Sequence, residues 1–353
     1  FGGAYVNLVG EAVSRDGRFG VAGGMVLQPY RHLASGARGK QVDVGFVPEV
    51  KISDATSITG MVSYGTSRYW GEFLHTPSTS TLPPKLKFPS RYAASWSDWD
   101  VGNFNAGLIA RTRAGKWQLQ VSAFHSRNQA DRSDYTLFTS DAQGLGRASG
   151  VYTRPRTTAS SSGEVKLAPT LGEGHRVCGM ARARHTRTLS RPGFIVDLGP
   201  SDQSQMTPPT PTPLVTNVDP TLDLVEQLTA GLGYEAKLSD RLQIRAGIQR
   251  TRYRKSVAVP GLPINLNDES NWLYDVAAVF QITPRWTIFA TATRGLEESG
   301  SAPANAANRY DVLNAVVARQ YEVGFRGRIG TISLIGSVFE VAKPTAALAP
   351  NGI

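Results

Sequence analysis

Between positions 69 and 99 the chain concentrates aromatic rings and arginine: Tyr69, Trp70, Phe73, Phe88, Arg91, Tyr92, Trp96 and Trp99. Flat aromatic faces beside guanidinium groups suit an amphiphilic, anionic ligand, held by stacking and charge. Tyr69, Trp70, Arg91, Tyr92, Trp96 and Trp99 are the candidate ligand contacts, and packing of a long loop on itself would use the same residue types. Two basic clusters, RARHTRTLSR (Arg182 to Arg191) and RTRYRK (Arg250 to Lys255), could hold the phosphates of nucleic acid or lipopolysaccharide, or an anionic chelate. Neither comes with a recognition helix or a stacking-sheet motif, which argues against nucleic acid.

Catalytic chemistry finds no footing. There is no Gly-rich phosphate loop and no nucleophile elbow, and the five histidines have no paired spacing. Glu297 and Glu298 are adjacent, but neighbouring side chains in an extended chain point apart and no His or Lys accompanies them. Cys178 stands alone, without a partner for a disulfide or a zinc site. The sequence expects a non-enzyme that binds no cofactor of its own.

The elements that must carry these groups read as strands. Phe104, Ala106, Leu108 and Ala110 alternate with Asn103, Asn105 and Arg111; a turn at Arg113 to Lys116 leads to Trp117, Leu119, Val121 and Ala123 against Gln118, Gln120 and Ser122. Strict alternation marks a strand whose two faces meet different surroundings. The same rhythm recurs along the chain and predicts about 14 strands in seven hairpins, with turns of a few residues alternating with long loops. A Pro-rich stretch, Arg191 to Pro220, cannot join a ladder and reads as exposed loop.

One parity of these strands has no Asp, Glu, Lys or Arg in its central positions. The other collects Glu11, Asp43, Glu49, Lys51, Arg111, Glu164, Arg182, Arg245, Asp275 and Glu322. A charge on the lipid face of a membrane barrel costs about 2–4 kcal/mol at the bilayer midplane, so a charge-free parity is what lipid demands. Phe19, Trp117 and Trp286 follow short turns, while Phe104, Trp272 and Tyr321 lie toward the long loops; aromatic girdles belong at those two levels. On this reading Leu232 meets lipid and rejects arginine, whereas Thr229 lines the interior and accepts it. Mean hydropathy of −0.22 is compatible, because a polar interior dilutes the apolar belt. No apolar run approaches the roughly 18 residues of a membrane helix.

The stretch from Trp286 to Pro344 adds a resemblance. TATRGLE, a loop rich in Ala, Asn and Pro, RQYEVG and then FEVAKPT resemble the late barrel portion of TonB-dependent outer-membrane receptors of the ferric-siderophore type. The resemblance implies an all-β, antiparallel transmembrane β-barrel with short periplasmic turns and long extracellular loops, in the outer membrane of a Gram-negative bacterium. It implies a ferric siderophore as transported ligand, energised uptake through the TonB system acting on a plug domain, and lipid and lipopolysaccharide as neighbours. Arg294 and Asn305, in the loop between these motifs, become further candidate ligand contacts. Residues 1–353 would then be an incomplete barrel, with the N-terminal plug and the C-terminal strands outside it, since transporters of this type have about 22 strands. A passive porin, or a receptor for haem or vitamin B12, fits the same strands.

Overall fold

The alternation folds as it must: each long alternating run is a strand, and its neighbours in sequence are its neighbours in space. The computed structural model describes residues 2–31, 37–71, 73–85, 94, 96–203, 218–303 and 306–345, and these contain strands and no helix. One sheet is built from β1 (Gly2–Gly3), β2 (Val6–Val13), β3 (Phe19–Arg31), β4 (Arg38–Ser53) and β5 (Thr56–Trp70). It continues through β7 (Asp98–Ala114), β8 (Trp117–Ser133), β11 (Arg156–Gly172), β12 (His175–Ser190) and β14 (Thr221–Lys237). β15 (Leu242–Ala258), β16 (Asn265–Thr283), β17 (Trp286–Glu297), β18 (Val316–Ile329) and β19 (Ile332–Ala342) complete it. These 15 strands pair antiparallel in chain order. β1 and β2 keep one register against β3, Gly3 opposite Tyr30 and Val6 opposite Leu27, so the sheet has fourteen staves among the described residues.

All the short connections lie at one end. Gly115 (φ 57°) and Gly330 (φ 59°) take the left-handed conformation that tight hairpins need and that only glycine adopts without cost. The long connections lie at the other end, and here the structure departs from the sequence reading. Strands run past their alternating segments: β7 starts at Asp98 rather than near Phe104, and β16 at Asn265 rather than Trp272. Beyond the apolar band both faces are wet, so polar residues occupy both parities and periodicity gives no signal.

The long loops are also not all irregular. β6 (Phe73–Pro77), β9 (Tyr135–Ser140), β10 (Leu145–Tyr152) and β13 (Phe194–Asp202), taken from three different connections, form a second sheet in the order β13-β10-β9-β6. Phe138 and Ala148 form its core, with Phe73 and Leu198 against them. The stretch from Arg191 to Pro220, expected to be loop, therefore contributes a strand at Phe194–Asp202.

In the large sheet the charge-free parity is left bare of protein: Leu8, Leu108, Leu228, Leu232 (64%), Ile248, Trp272 and Val323 are all exposed. A contiguous apolar surface of this extent calls for a non-aqueous covering. Recessed glycines fit the sheet together. A Cβ at Gly327 would lie 2.2 Å from the Trp286 ring, and one at Gly107 would lie 2.3 Å from the Phe124 ring, so each ring lies flat across a neighbouring strand where a side chain is missing.

Candidate ligand-binding site

The polar face is a wall of hydrogen-bonding and charged groups. Near the turn end Lys51, Arg111, Arg113, Lys166 and Arg176 surround a hollow of about 440 Å3. Arg111 Nε donates to Gln120 Oε1 at 3.0 Å, and Arg176 donates to Gln118 Oε1 at 3.0 Å. Further along, Arg245 donates to Asp275 at 2.8 Å, Asn128 to Asn103 at 2.6 Å and Asn105 to Ser63 at 3.2 Å.

β17 pairs with β16 only as far as Arg294, and beyond it the β17–β18 arm bends over this polar face. Leu296 and Ala315 pack against Val225 and Tyr253 of the wall. Lys255, only 4% exposed at its side chain, binds the arm: its Nζ donates to the Ser299 carbonyl at 2.8 Å and lies 3.2 Å from Asp223 and 3.6 Å from Glu298. Arg184 reaches the same Glu298 at 3.2 Å.

The aromatic candidates separate by parity and position. Tyr69 and Trp99 are cross-strand partners on the polar face, ring centroids 5.4 Å apart, and Tyr69 Oη donates to Gln41 at 3.5 Å. Trp99 is 41% exposed and borders a cleft of about 250 Å3 with Phe73, Leu74 and Asp134, between the wall and the loop sheet. Trp70 falls on the opposite parity, where the Arg68 guanidinium lies over its ring at 5.2 Å and pairs with Asp98 at 2.9 Å. Arg294 shares the parity of Ile288 and Ala292, opposite Tyr274 and Arg319, and so does not line the polar wall. Arg91, Tyr92 and Asn305 lie outside the described residues.

Trp96 is committed to packing. It stacks on Tyr152 at 5.0 Å, Tyr152 stacks on Phe194 at 4.9 Å, and the Arg154 guanidinium caps Phe194 at 5.0 Å. Sequence reading missed Tyr152 and Arg154, from one connection, and Phe194, from another. Lys255 was seen only as one of a basic cluster. The register exposes its role: Thr251, Tyr253 and Lys255 face the polar side, while Arg250, Arg252 and Arg254 face the apolar one. The other cluster divides likewise, Arg182 and Arg184 inward and His185 and Arg187 outward.

Asp134 and His75, both in the loop region, are shifted by burial. Asp134, whose Oδ1 accepts from the Thr153 amide at 2.9 Å, has its carboxyl pushed up by loss of water, against the opposing pull of that amide and of Arg132. His75, with Nε2 at 3.0 Å from Ser140 Oγ, is pushed down for the same reason. No cluster of three or more metal-ligating side chains occurs among the described residues. The arrangement offers charge, hydrogen bonds and an open aromatic surface, the means of binding a ligand.

Comparison with known proteins gives the same architecture. The family described as TonB dependent receptor-like, beta-barrel matches over residues 51–341. The structure of BauA, the ferric preacinetobactin receptor from Acinetobacter baumannii, superposes with a TM-score of 0.80 at 15% identity, over 99% of this chain and 53% of that one. FpvA of Pseudomonas aeruginosa bound to a heterologous pyoverdine and iron gives 0.77 at 16% identity, over 97% and 46%. Fiu, the ferric-catecholate import receptor of Escherichia coli K12, gives 0.75 at 11% identity, over 96% and 57%. The chain thus spans about half the length of these solved structures. No curated protein matches the sequence.

Proposed function

The chain belongs to the TonB-dependent receptor-like β-barrel family, and from that premise we propose that it forms the larger part of the barrel of a receptor importing a ferric siderophore. Barrels of this family are outer-membrane proteins of Gram-negative bacteria. The bare apolar face is then the lipid face, the polar wall is the lumen, and the end carrying the loop sheet faces outside. The remaining staves, a plug filling the lumen and the contact with the energising TonB system belong to the rest of the receptor, in keeping with neighbours about twice as long.

One observation carries the choice of cargo: the Tyr69–Trp99 pair stands on the lumen side at the outer mouth with Trp99 partly open, above a wall rich in Arg and Lys. Such a surface suits a ferric chelate, which combines flat ligand arms with net negative charge. Lipid and lipopolysaccharide cover the outside of the wall. The polar wall binds through charge and hydrogen bonds, and no catalytic role is assigned to it.

The test is uptake of radioactive iron by iron-starved cells expressing the full-length receptor. Receptor-dependent accumulation of one ferric siderophore is expected, with Trp99→Ala and Tyr69→Ala weakening binding about tenfold, as loss of one aromatic contact of about 1.4 kcal/mol requires. Uptake unchanged by deletion of the receptor, across a panel of catecholate, hydroxamate and mixed siderophores, would overturn the reading.

A further inference from the structure

The outward face carries a trough of about 880 Å3 that crosses β7, β8, β11, β12, β14 and β15. Its floor is made by small residues: Ala123 on β8, Gly163 on β11 and Ala183 on β12 lie in register, and Ala106 on β7 lies one row nearer the loops, opposite His125. Leu108 and Leu228 wall it on either side. The lining is therefore mainly hydrocarbon, on a face that nothing else among the described residues covers.

Its rim is basic. Arg252 and Arg254 line the trough, and Arg187 and Arg250 stand on the same face one row away. Glu226 lies 3.8 Å from Arg254 and 3.9 Å from His185, Asp268 accepts from Arg252 at 2.6 Å, and Arg250 lies over the Trp272 ring at 5.3 Å. Four arginines against two carboxylates leave a surplus of positive charge. The Arg252 and Arg254 side chains remain more than half open to solvent on average (62% and 50%).

Depth joins the two features. On β8, β14 and β15, eight positions separate an outward residue near the turn end from the first charged or imidazole-bearing outward residue: Trp117 to His125, Tyr234 to Glu226 and Leu242 to Arg250. Eight residues at about 3.3 Å rise, tilted about 40°, climb roughly 20 Å, close to the height of a barrel's apolar band. The floor thus lies at the top of the hydrocarbon layer and the rim at the level of headgroups, on the loop side.

We propose that this trough is a binding site for one lipid A molecule of the outer leaflet, an acyl chain lying over Ala106, Ala123, Gly163 and Ala183 and a phosphate held by Arg252 and Arg254. The assignment rests on the outward orientation of this face, and is independent of which chelate the lumen carries. A glycerophospholipid offers the same chemistry with a single phosphate, but the trough opens on the loop side, where lipid A forms the leaflet.

The full-length receptor, purified in detergent and stripped of lipid, should bind labelled lipid A, with phosphatidylglycerol competing at least tenfold less well. The double variant Arg252→Gln/Arg254→Gln should weaken binding at least fivefold, and Ala183→Phe, which fills the floor, should do the same, with siderophore binding unchanged in both. If Ala183→Phe fails to assemble, the arginine variant decides. Equal lipid A binding by wild type and the arginine variant, or equal competition by phosphatidylglycerol, overturns the proposal. Loss of siderophore binding with lipid A retention intact would count against the receptor reading alone.

Discussion

Arg184 and His185 are consecutive in β12 and serve opposite sides of the wall: Arg184 reaches Glu298 at 3.2 Å in the lumen, and His185 lies 3.9 Å from Glu226 on the outside. A one-residue slip of this strand would exchange every such pair, so the two-sided chemistry itself fixes the register.

The faces can be told apart with arginine. Leu232 is open to lipid, and Leu232→Arg should cost about 2–4 kcal/mol, enough to prevent assembly. The sequence proposed Thr229 as the tolerant counterpart, but Thr229 is fully buried with its hydroxyl 3.0 Å from that of Thr251, so arginine fails there for want of room. Thr291, opposite Glu322 on the lumen side, is the proper control. Thr291→Arg should yield a barrel of unchanged heat-modifiable mobility, and the orientation is wrong if it behaves like Leu232→Arg.

The arm between β17 and β18 depends on Lys255. Lys255→Met leaves Asp223 and Glu298 facing one another without their shared cation and removes the bond to the Ser299 carbonyl. Losing a hydrogen bond to a charged group costs about 1.5–3 kcal/mol. The arm should open, with proteolysis within residues 298–315 accelerated at least tenfold while the wall survives. Glu298→Gln should loosen it less, because the bond to Ser299 remains. An arm equally protected in both variants would show that Leu296 and Ala315 hold it alone.

Packing across strands gives a third test. Gly327→Val places a branched side chain where the Trp286 ring lies, and overpacking of this kind costs about 1–3 kcal/mol. The unfolding midpoint of the barrel in urea should fall. The double variant Trp286→Ala/Gly327→Val should recover part of the loss, since the collision disappears with the ring. Additive effects of the two changes would argue against direct contact.

The sequence made the wall legible because each stave has one dry face and one wet face, and a two-residue period records that difference directly. Tyr69 and Trp99 were named for another reason, as rings in an aromatic, arginine-rich stretch read as a long loop, and only their place in β5 and β7 shows that Trp70 faces the other way from its neighbour. What stayed hidden was made by contacts between connections. Phe138 and Phe73 meet in one small core, and Trp96, Tyr152 and Phe194 in one stack, at separations no local pattern encodes. The strands there are short, and the buried face of β9 carries Thr136 and Ser140 beside Phe138, so burial alternates while hydrophobicity does not. Lys255 was hidden differently, inside a basic run whose alternate members point to opposite sides.

The loop sheet should respond to acid through two groups of opposite sign. Burial lowers His75 from its ordinary 6.5, so the neutral ring favours the folded sheet above that value and the benefit is lost as pH falls through the depressed one. Asp134 is raised from 3.8, so its contribution is full only below that value and is lost as pH rises through the raised one. Acidification from pH 7.5 toward 4.5 therefore removes support at β6 and adds it beside β9 and β10. His75→Gln should leave only the second effect, with amide exchange in the loop sheet slowing steadily as pH falls, after correction for the intrinsic rate. Asp134→Asn keeps an acceptor for the Thr153 amide and leaves only the first, so exchange in β6 should quicken on acidification. If both variants follow the wild-type pH profile, neither group governs the sheet, and Phe138 packing sets its stability by itself.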